Sequence, residues 1–365
     1  MTLRPKNIIA LIVLFFILLG LICLYSSCHQ KGDFIKKEIF VKQVMWAGIG
    51  LFFMFLASRL DYRRLSPVII PLYVFSFLSL FFVLLMGRAI MGAQRWISFG
   101  EVSFQPSEFG KFALILVLAK YYSSYGRYDV GAVTPRAAVI RALGIPLLLT
   151  LFLTGLVLVQ PDLGTAIVYL FVFFSIAFLA DVPLGYLFGL MGTGLVSMPF
   201  FWHFLKDYQK SRLLVFMNPN IDPLGAGYTV IQSKIAIGSG MFFGKGWMSG
   251  TQSQLNFLAE RHTDFIFSVI GEEWGFLGSL ALIFLYGLLV FMILRVSEMA
   301  KDTFGRLFCV GAAALLFFHA FINIAMNVGA SPVVGLPLPF ISYGGSSLVI
   351  NLFAIGIVLN IARQK

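Results

Sequence analysis

The sequence predicts an all-α, polytopic integral membrane protein with about ten transmembrane helices and one large extracytoplasmic loop between helices seven and eight. Two observations support this prediction. Of the 365 residues, 59% are hydrophobic and only 12% are charged, with a mean hydropathy of +0.91, whereas a soluble domain of this size needs far more charge on its surface. The hydrophobic residues also fall in long runs, and a helix needs about twenty apolar residues to cross a bilayer.

Ten apolar runs can be distinguished along the chain. They are centred on residues 8–25, 44–57, 68–86, 107–121, 143–159, 164–180, 184–202, 268–294, 307–327 and 341–361. The first run follows Arg4 and Lys6 and contains no small-residue cleavage site, so we expect it to be retained as the first helix. Lys and Arg are more frequent in the short loops on the N-terminal side, which places both termini in the cytoplasm by the positive-inside rule.

One long segment interrupts this pattern between runs seven and eight. From residue 203 to residue 267 the sequence is mixed rather than apolar, and it is too long to be a simple connection. Within it, Gly227–Gly240 has the composition of a short helix that would lie in the plane of the membrane interface. Because no linker or internal repeat is evident, residues 1–365 are predicted to form a single transmembrane domain, with 203–267 as its large extracytoplasmic loop.

A first cluster of polar residues lies in Gly92–Lys111, between runs three and four. Pro106 suits the first turn of the next helix, and Glu108 and Lys111 would share one face of that helix. This pair is either a charge-neutralising pair on a water-exposed rim or, together with Arg95, part of a rim that contacts a substrate.

Two further polar stretches have the composition of turns. In Gln160–Thr165, Pro, Asp and Gly are ordinary turn residues, and Asp162 is placed to cap the following helix. In Gly329–Ser347, three prolines exclude a regular helix before the last run. The Gly-Gly pair at 344–345 indicates either a close backbone approach or an opened helix start whose N–H groups could meet an anion. The alternative is a helix capped by serine and packed through small residues.

A further polar cluster is ERHTDFIF, Glu260–Phe267, where five polar or charged residues stand immediately before the eighth run. If Glu260 begins a helical turn, Glu260 and Asp264 share one face, and each carboxylate disfavours ionisation of the other. Partial desolvation would also raise the pKa of Asp264. In the alternative interpretation the stretch is an interfacial collar in which Thr263 or Asp264 caps the helix, and the helix dipole would lower that pKa.

Longer motifs connect these clusters to a known family. No metal-ligand, Walker, dinucleotide-binding or Ser-His-Asp motif occurs. Instead, three stretches resemble the SEDS family (shape, elongation, division and sporulation), and within it the branch that acts in cell elongation. They are DPLGAGYTVIQSKIAIGSG, GKGWMSGTQSQLNFLAERHTDFIFSVIGEEWG and PLPFISYGGSS. They occur in the expected order, and the resemblance extends over essentially the whole chain.

The resemblance implies a peptidoglycan glycosyltransferase of the bacterial cytoplasmic membrane. Such an enzyme polymerises lipid II, a lipid-pyrophosphate-linked disaccharide-pentapeptide, at the outer face, together with a class B penicillin-binding protein that crosslinks the strands. The family's essential aspartate corresponds to Asp264, which we expect to be catalytic as the general base for the acceptor hydroxyl. The expected substrate-binding residues are Glu108, Lys111, Arg95, Gln160, Asp162, Lys245, His262, Ser342 and Tyr343; among them, Glu108 and Lys111 correspond to the Glu and Lys of the family's outer cavity.

The departing pyrophosphate would need positive charge. Lys111 and Arg95, with Lys245 or a divalent cation (Mg²⁺ or Mn²⁺), would supply it, although no motif specifies the cation, and the sequence leaves open which of these groups or Lys234 meets phosphate. The alternative functions are a lipid II flippase and a non-catalytic scaffold for a penicillin-binding protein. The charges lie mostly at the outer ends of the runs and no repeat is evident, which favours surface chemistry over translocation.

Overall fold

Long helices account for most of the part of the chain that the structure describes. The computed structural model describes residues 4–28, 34–90, 93–99, 102–124, 139–223, 225 and 227–364. Its helices are α1 (Pro5–Cys28), α2 (Phe34–Arg59), α3 (Ile69–Met86), α4 (Pro106–Ser124), α5 (Ile145–Val159), α6 (Leu163–Leu179), α7 (Leu184–Phe201), α8 (Asp207–Met217), α9 (Tyr228–Ser239), α10 (Thr251–Gln254), α11 (Ile266–Glu298), α12 (Thr303–Val328) and α13 (Gly345–Arg363). Helices α1 to α7 and α11 to α13 overlap the ten predicted runs, so the predicted all-α, polytopic fold is confirmed.

Seven helical segments among these residues are long and apolar enough to cross a membrane. They are Pro5–Cys28, Glu38–Arg59, Tyr62–Met86, Ile140–Val159, Ile266–Glu298, Thr303–Val328 and Gly345–Arg363. Two further apolar helices, α6 and α7, are shorter. A chain with this many spanning helices is a multi-pass membrane protein.

Helix α4 lies at the centre of the bundle. Every residue from Gly110 to Ala119 is buried, and the helix packs against α3, α6, α12 and α13. A helix that is apolar around its whole circumference is buried on all sides, and the sequence FALILVLA within α4 has that character. The outer helices instead present large apolar side chains to the surroundings, such as Phe52 and Leu85.

Helix α11 is interrupted at Gly275, where the backbone turns to φ +68° and ψ −161°. The amides of Phe276 and Leu277 donate to the carbonyls of Met241 and Phe242 instead of to the preceding helical turn. The carbonyls of Glu272 and Glu273 accept from the amides of residues 245 and 246. The helix therefore consists of a short segment before the break and a longer one after it, joined through hydrogen bonds to the loop that follows α9.

A small antiparallel sheet that the sequence did not predict lies between α3 and α4. Its strands are β1 (Arg88–Ile90), β2 (Ala93–Phe99) and β3 (Val102–Phe104), in the order β1-β2-β3. Strand β2 pairs with β3 through Ile97 opposite Phe104 and Ser98 opposite Ser103. The sheet carries Arg95 toward the turn between α5 and α6, where its guanidinium is bound.

The segment 203–267 contains short helices packed on the bundle. The helix expected in Gly227–Gly240 is present as α9, and it packs against α11 and α12 with Val230, Ser233 and Ala236 buried. Helix α8 was not predicted, because its sequence DYQKSRLLVFM has no extended apolar run. The assignment of this segment to the extracytoplasmic side stays a prediction.

Candidate active site

Asp264 lies at the end of the loop that leads into α11. The helix begins at Ile266, and its N-cap is Phe265, with no side-chain capping bond. The interpretation that Thr263 or Asp264 caps this helix is therefore wrong. Glu260 has a φ of +49°, so it does not begin a helical turn as expected, although its carboxylate still interacts electrostatically with Asp264.

The backbone of Asp264 is held by two asparagines of α12. The side-chain amides of Asn323 and Asn327 both donate to the Asp264 carbonyl at 2.9 Å. Asn327 also accepts from the amide of Ser268 at 3.2 Å, which fixes the first turn of α11 to the same side chain. Both asparagines are fully buried, and buried amides with satisfied hydrogen bonds position a segment rigidly. Nothing in the sequence marks these two residues as functional, because they lie within an otherwise apolar run.

The carboxylate of Asp264 faces a cavity of about 240 Å³. We call it the Asp264 cavity. Four charged residues line it, namely Asp264, Glu260, Arg212 and Lys234, and the rest of its wall is mostly apolar and comes from α8, α9 and the loop after α12. Arg212 was not among the residues predicted from the sequence. No motif marks it, and only the packing of α8 brings it to this wall.

The environment of Asp264 changes its acidity. Burial, followed by the negative charge of Glu260, raises the pKa of Asp264 to about 6, and Asp162 contributes in the same direction. Arg212 and Arg95 oppose the rise. The direction agrees with the repulsion and desolvation interpretation and not with the helix-dipole interpretation. A carboxylate with this pKa is mostly ionised at neutral pH and is a stronger base than an ordinary aspartate.

A second, smaller cavity of about 20 Å³ adjoins the first and shares Arg212, Pro332 and Val333 with it. Arg212 donates to the Val333 carbonyl at 3.2 Å, and its guanidinium lies 5.7 Å from the centre of the Tyr208 ring. Arg95 lines this second cavity. The two cavities therefore share the cation of Arg212, and the cation of Arg95 lines only the second cavity.

The turn after α5 holds three of the predicted residues together. Asp162 is the N-cap of α6 and accepts from the Thr165 amide at 3.2 Å, so the predicted cap is confirmed. Arg95 donates to the Gln160 carbonyl at 3.1 Å and lies 3.9 Å from the Asp162 carboxylate. The Gln160 side chain is buried and donates to the Leu80 carbonyl at 2.9 Å. This side chain stabilises the turn from within the bundle.

Glu108 and Lys111 form a buried ion pair. The Lys111 Nζ is 2.6 Å from Glu108 Oε1 and 3.1 Å from His319 Nε2, and the two side chains are only 6% and 1% exposed. The interpretation of a water-exposed rim is therefore wrong. Because the ammonium is only a donor, His319 accepts at Nε2 and is neutral. Lys111 does not line the Asp264 cavity.

Lys245 does not line the Asp264 cavity. Its Nζ is 2.9 Å from Oε1 of Glu272, which is completely buried, and 2.8 Å from the Thr251 hydroxyl. The Glu272 carboxylate also accepts from the amides of residues 252 and 253. This group organises the loop around α10.

The last predicted residues shape the loop around Asp264. Ser342 donates from Oγ to the Thr263 carbonyl at 2.5 Å, and the Tyr343 amide donates to the His262 carbonyl at 2.8 Å. The rings of His262 and Tyr343 lie 6.2 Å apart. These contacts hold the stretch 260–264 against the loop before α13.

Two further expectations concern the neighbours of this loop. Arg261 is only 4% exposed and donates to the Ser27 carbonyl at 2.9 Å, so it does not belong to a solvated collar. Helix α13 has Gly344 as its N-cap without a side-chain capping bond, which excludes the serine cap. A Cβ on Gly345 would lie 2.5 Å from the Trp46 ring, so this glycine permits a close approach, as one of the alternatives predicted.

The donor groups present fit a divalent cation only in part. Within the described ranges, no group of three or more His, Cys, Asp or Glu side chains is placed to hold a metal ion. Asp264 and Glu260 contribute two carboxylates to one cavity. Mg²⁺ is commonly bound by one or two carboxylates together with substrate phosphates, so these residues would fit an ion that the substrate helps to hold.

Comparisons with known proteins agree with the resemblance seen in the sequence. The FtsW/RodA/SpoVE family model, described as cell cycle protein, matches residues 6–365. The peptidoglycan glycosyltransferase MrdB of Escherichia coli K12 is 40% identical over 360 residues, which cover 97% of this chain and 92% of MrdB. One solved chain, from a study of how a peptidoglycan synthase complex coordinates polymerization and crosslinking, is 38% identical with a TM-score of 0.81; the match covers 98% of this chain and 97% of that one. The rod shape determining protein RodA of Thermus thermophilus is 32% identical with a TM-score of 0.71, over 98% of this chain and 96% of RodA.

Proposed function

The chain belongs to the FtsW/RodA/SpoVE family of cell cycle proteins, and from this membership and the geometry at Asp264 we propose that it is a peptidoglycan glycosyltransferase. It polymerises lipid II into glycan strands that serve cell elongation and rod shape. The observation that carries the proposal is a carboxylate with a raised pKa that shares one cavity with two cations, Arg212 and Lys234.

These groups match the charges that the reaction develops. The acceptor hydroxyl gives its proton to the Asp264 carboxylate while its oxygen forms a bond to the anomeric carbon of the donor sugar. The bond from that carbon to the pyrophosphate oxygen breaks, and the electron pair leaves with the pyrophosphate. Glycosidases need a second carboxyl group to protonate the leaving oxygen, but pyrophosphate leaves as an anion and needs positive charge instead. Arg212 and Lys234 supply that charge.

Five of the nine substrate-binding residues expected from the sequence divide into two groups in this proposal. Arg95 lines the second cavity, where it would meet the more distant part of a long substrate, and the turn of Gln160 and Asp162 holds its guanidinium. Glu108 and Lys111 are enclosed in the bundle, so contact with the substrate would require the helices around them to open. Arg212 and Lys234 need no such movement.

A divalent cation, Mg²⁺ or Mn²⁺, is part of the proposal only as a shared ligand. Asp264 and Glu260 would hold it together with the pyrophosphate oxygens, where it would neutralise negative charge on the leaving group. The steps above are carried by the side chains of the protein.

The proposed setting is the bacterial cytoplasmic membrane, with both termini in the cytoplasm and Asp264 at the outer face. The partner is a class B penicillin-binding protein that crosslinks the new strands. The similarity to a chain of a peptidoglycan synthase complex, studied for its coordination of polymerization and crosslinking, supports this pairing.

Incubation of the purified protein with labelled lipid II tests the proposal. Wild-type protein should produce glycan strands, and Asp264→Asn should produce none while remaining monodisperse. Arg212→Gln should slow polymerisation at least tenfold, whereas the matched control Lys210→Gln on the same helix should not. Wild-type rates from Asp264→Asn would refute the catalytic assignment, and lipid II translocation in liposomes without polymer would favour the flippase.

A further inference from the structure

A run of large apolar side chains is exposed immediately after α9. In the segment Met241–Trp247, Met241 and Phe243 are 81% and 77% exposed, and Phe242 and Trp247 are half exposed. A patch of this kind on a loop marks a surface that something apolar covers. We propose that the 241–247 segment inserts into the membrane leaflet on the side of Asp264, so that lipid acyl chains cover it.

The lengths of two helices place the segment at the edge of the hydrocarbon. Phe242 stacks on Phe276, with ring centres 5.8 Å apart, and the helix from Phe276 to Glu298 is roughly 35 Å long at about 1.5 Å per residue. Trp247 stacks on Tyr25, with ring centres 6.0 Å apart. The twenty steps from Pro5 to Tyr25 correspond to about 30 Å. The hydrocarbon core is about 30 Å thick. Measured from Glu298 at the end of α11 and from Pro5 at the start of α1, both helices therefore bring the segment to the same boundary of this core.

Four backbone groups of the segment satisfy the condition that hydrocarbon imposes. Irregular backbone is tolerated at membrane depth only where its polar groups are bonded within the protein. Here the carbonyls of Met241 and Phe242 accept from the amides of residues 276 and 277, at 2.9 and 3.2 Å. The amides of Lys245 and Gly246 donate to the carbonyls of residues 272 and 273, both at 3.0 Å. The break in α11 therefore provides partners for these four groups.

The only charge within the segment is also neutralised. Lys245 is bound to the completely buried Glu272, so insertion does not expose an unpaired ammonium to lipid. The segment is continuous with the apolar surface of α11, where Phe276 and Leu280 are exposed. Tyr25 and Trp247 have the amphipathic rings that are enriched at the membrane interface.

Insertion has a consequence for the site. The loop that follows the segment is tied to Glu272 through Lys245 and ends at Asp264. With the segment anchored in the leaflet, this loop keeps a fixed level above the hydrocarbon, at the height of lipid headgroups. The proposal does not depend on the chemistry assigned to Asp264, because the position of the segment can be measured separately from activity.

Spin labelling in lipid nanodiscs tests the insertion. Labels are attached at Phe243→Cys and Met241→Cys, and collision rates are measured with oxygen, which concentrates in lipid, and with a water-soluble nickel chelate. The lipid-facing control is Phe284→Cys, 68% exposed at mid-length of α11. The water-facing control is Asp207→Cys at the start of α8. The unmodified chain gives the background from its three buried cysteines.

We expect oxygen collisions to exceed nickel-chelate collisions at both segment positions, at a depth shallower than that of Phe284. Nickel-chelate accessibility equal to that of Asp207 would show that the segment faces water, and this would overturn the proposal. Low accessibility to both reagents would show that protein covers it, and this would overturn the proposal equally. If one cysteine variant fails to fold, the other decides.

Discussion

The acidity of Asp264 leads to a prediction about pH that two opposite substitutions can test. With a pKa of about 6, the ionised fraction of Asp264 falls from roughly 0.9 at pH 7 to roughly 0.1 at pH 5, and the rate of polymerisation should fall about tenfold. An aspartate at its ordinary value of 3.8 would remain almost fully ionised over this range. The acid side of the rate profile therefore reports the environment of this one carboxylate.

The neighbours of Asp264 should move this profile in opposite directions. Glu260→Gln removes a negative charge that raises the pKa of Asp264, so the fall in rate should shift to lower pH. Arg212→Gln removes a positive charge that lowers this pKa, so the fall should shift to higher pH in addition to reducing the maximum rate. Asp207→Asn, at the first residue of the same helix as Arg212, should leave the midpoint unchanged.

The assay measures initial rates of lipid II polymerisation in detergent across about three pH units on either side of the midpoint, with each variant checked for monodispersity at the lowest pH. A rate that stays constant down to pH 5 would refute the raised pKa. A midpoint that does not move in Glu260→Gln, or that moves to higher pH, would refute the electrostatic reasoning even if Asp264 is essential.

Three further predictions concern stability and geometry. Lys111→Met should destabilise the protein by about 3–5 kcal/mol because it leaves the buried Glu108 carboxylate unpaired. The double variant with Glu108→Gln should recover much of this stability in thermal unfolding. Equal losses of stability in the single and the double variant would contradict the buried pair. Gly335→Ala should reduce the polymerisation rate, because Gly335 has a φ of +74° and a Cβ there would contact the Asp264 carboxylate at 3.4 Å, while Gly192→Ala, whose Cβ would meet nothing within 4 Å, serves as the unaffected control. Asp264→Asn should raise the melting temperature at pH 7 but not at pH 4. The pKa of Asp264 is raised in the folded state, so ionisation of its carboxyl group destabilises the fold only above the ordinary pKa of an aspartate. A melting temperature of Asp264→Asn below that of the wild type at pH 7 would count against this sign.

The sequence was most informative where a residue type has one strong local preference. Pro106 begins α4 as expected, because proline suits the first turn of a helix, and Asp162 caps α6 through its short side chain. The apolar runs located ten of the helices, α1 to α7 and α11 to α13, for the same reason. The sheet of β1 to β3 was missed because its strands are short and lack a clear apolar alternation. The break at Gly275 was missed because a glycine within an apolar run gives no indication that a distant loop will bond to it.

The candidate site was predicted less completely, because it depends on contacts between distant segments. Asp264 was found from its motif, but its direction of pKa shift required the positions of Glu260 and Arg212. Glu108 and Lys111 were found as a pair, yet spacing along a helix could not show that the pair faces the centre of the bundle. Asn323 and Asn327 support the Asp264 backbone from another helix, and only the fold brings them there.

The break in α11 also has a consequence for how the protein is assembled. As an uninterrupted helix, this span would bond the amides of Phe276 and Leu277 to the carbonyls of Glu272 and Glu273. Breaking these two bonds inside a membrane is costly unless new partners are already present. The partners lie in the 241–247 segment, which the ribosome synthesises before α11. The span can therefore enter the bilayer as an uninterrupted helix. When it packs against the 241–247 segment, it loses two hydrogen bonds within the helix and forms four with the segment. The bend is thus acquired during maturation without any net loss of hydrogen bonding.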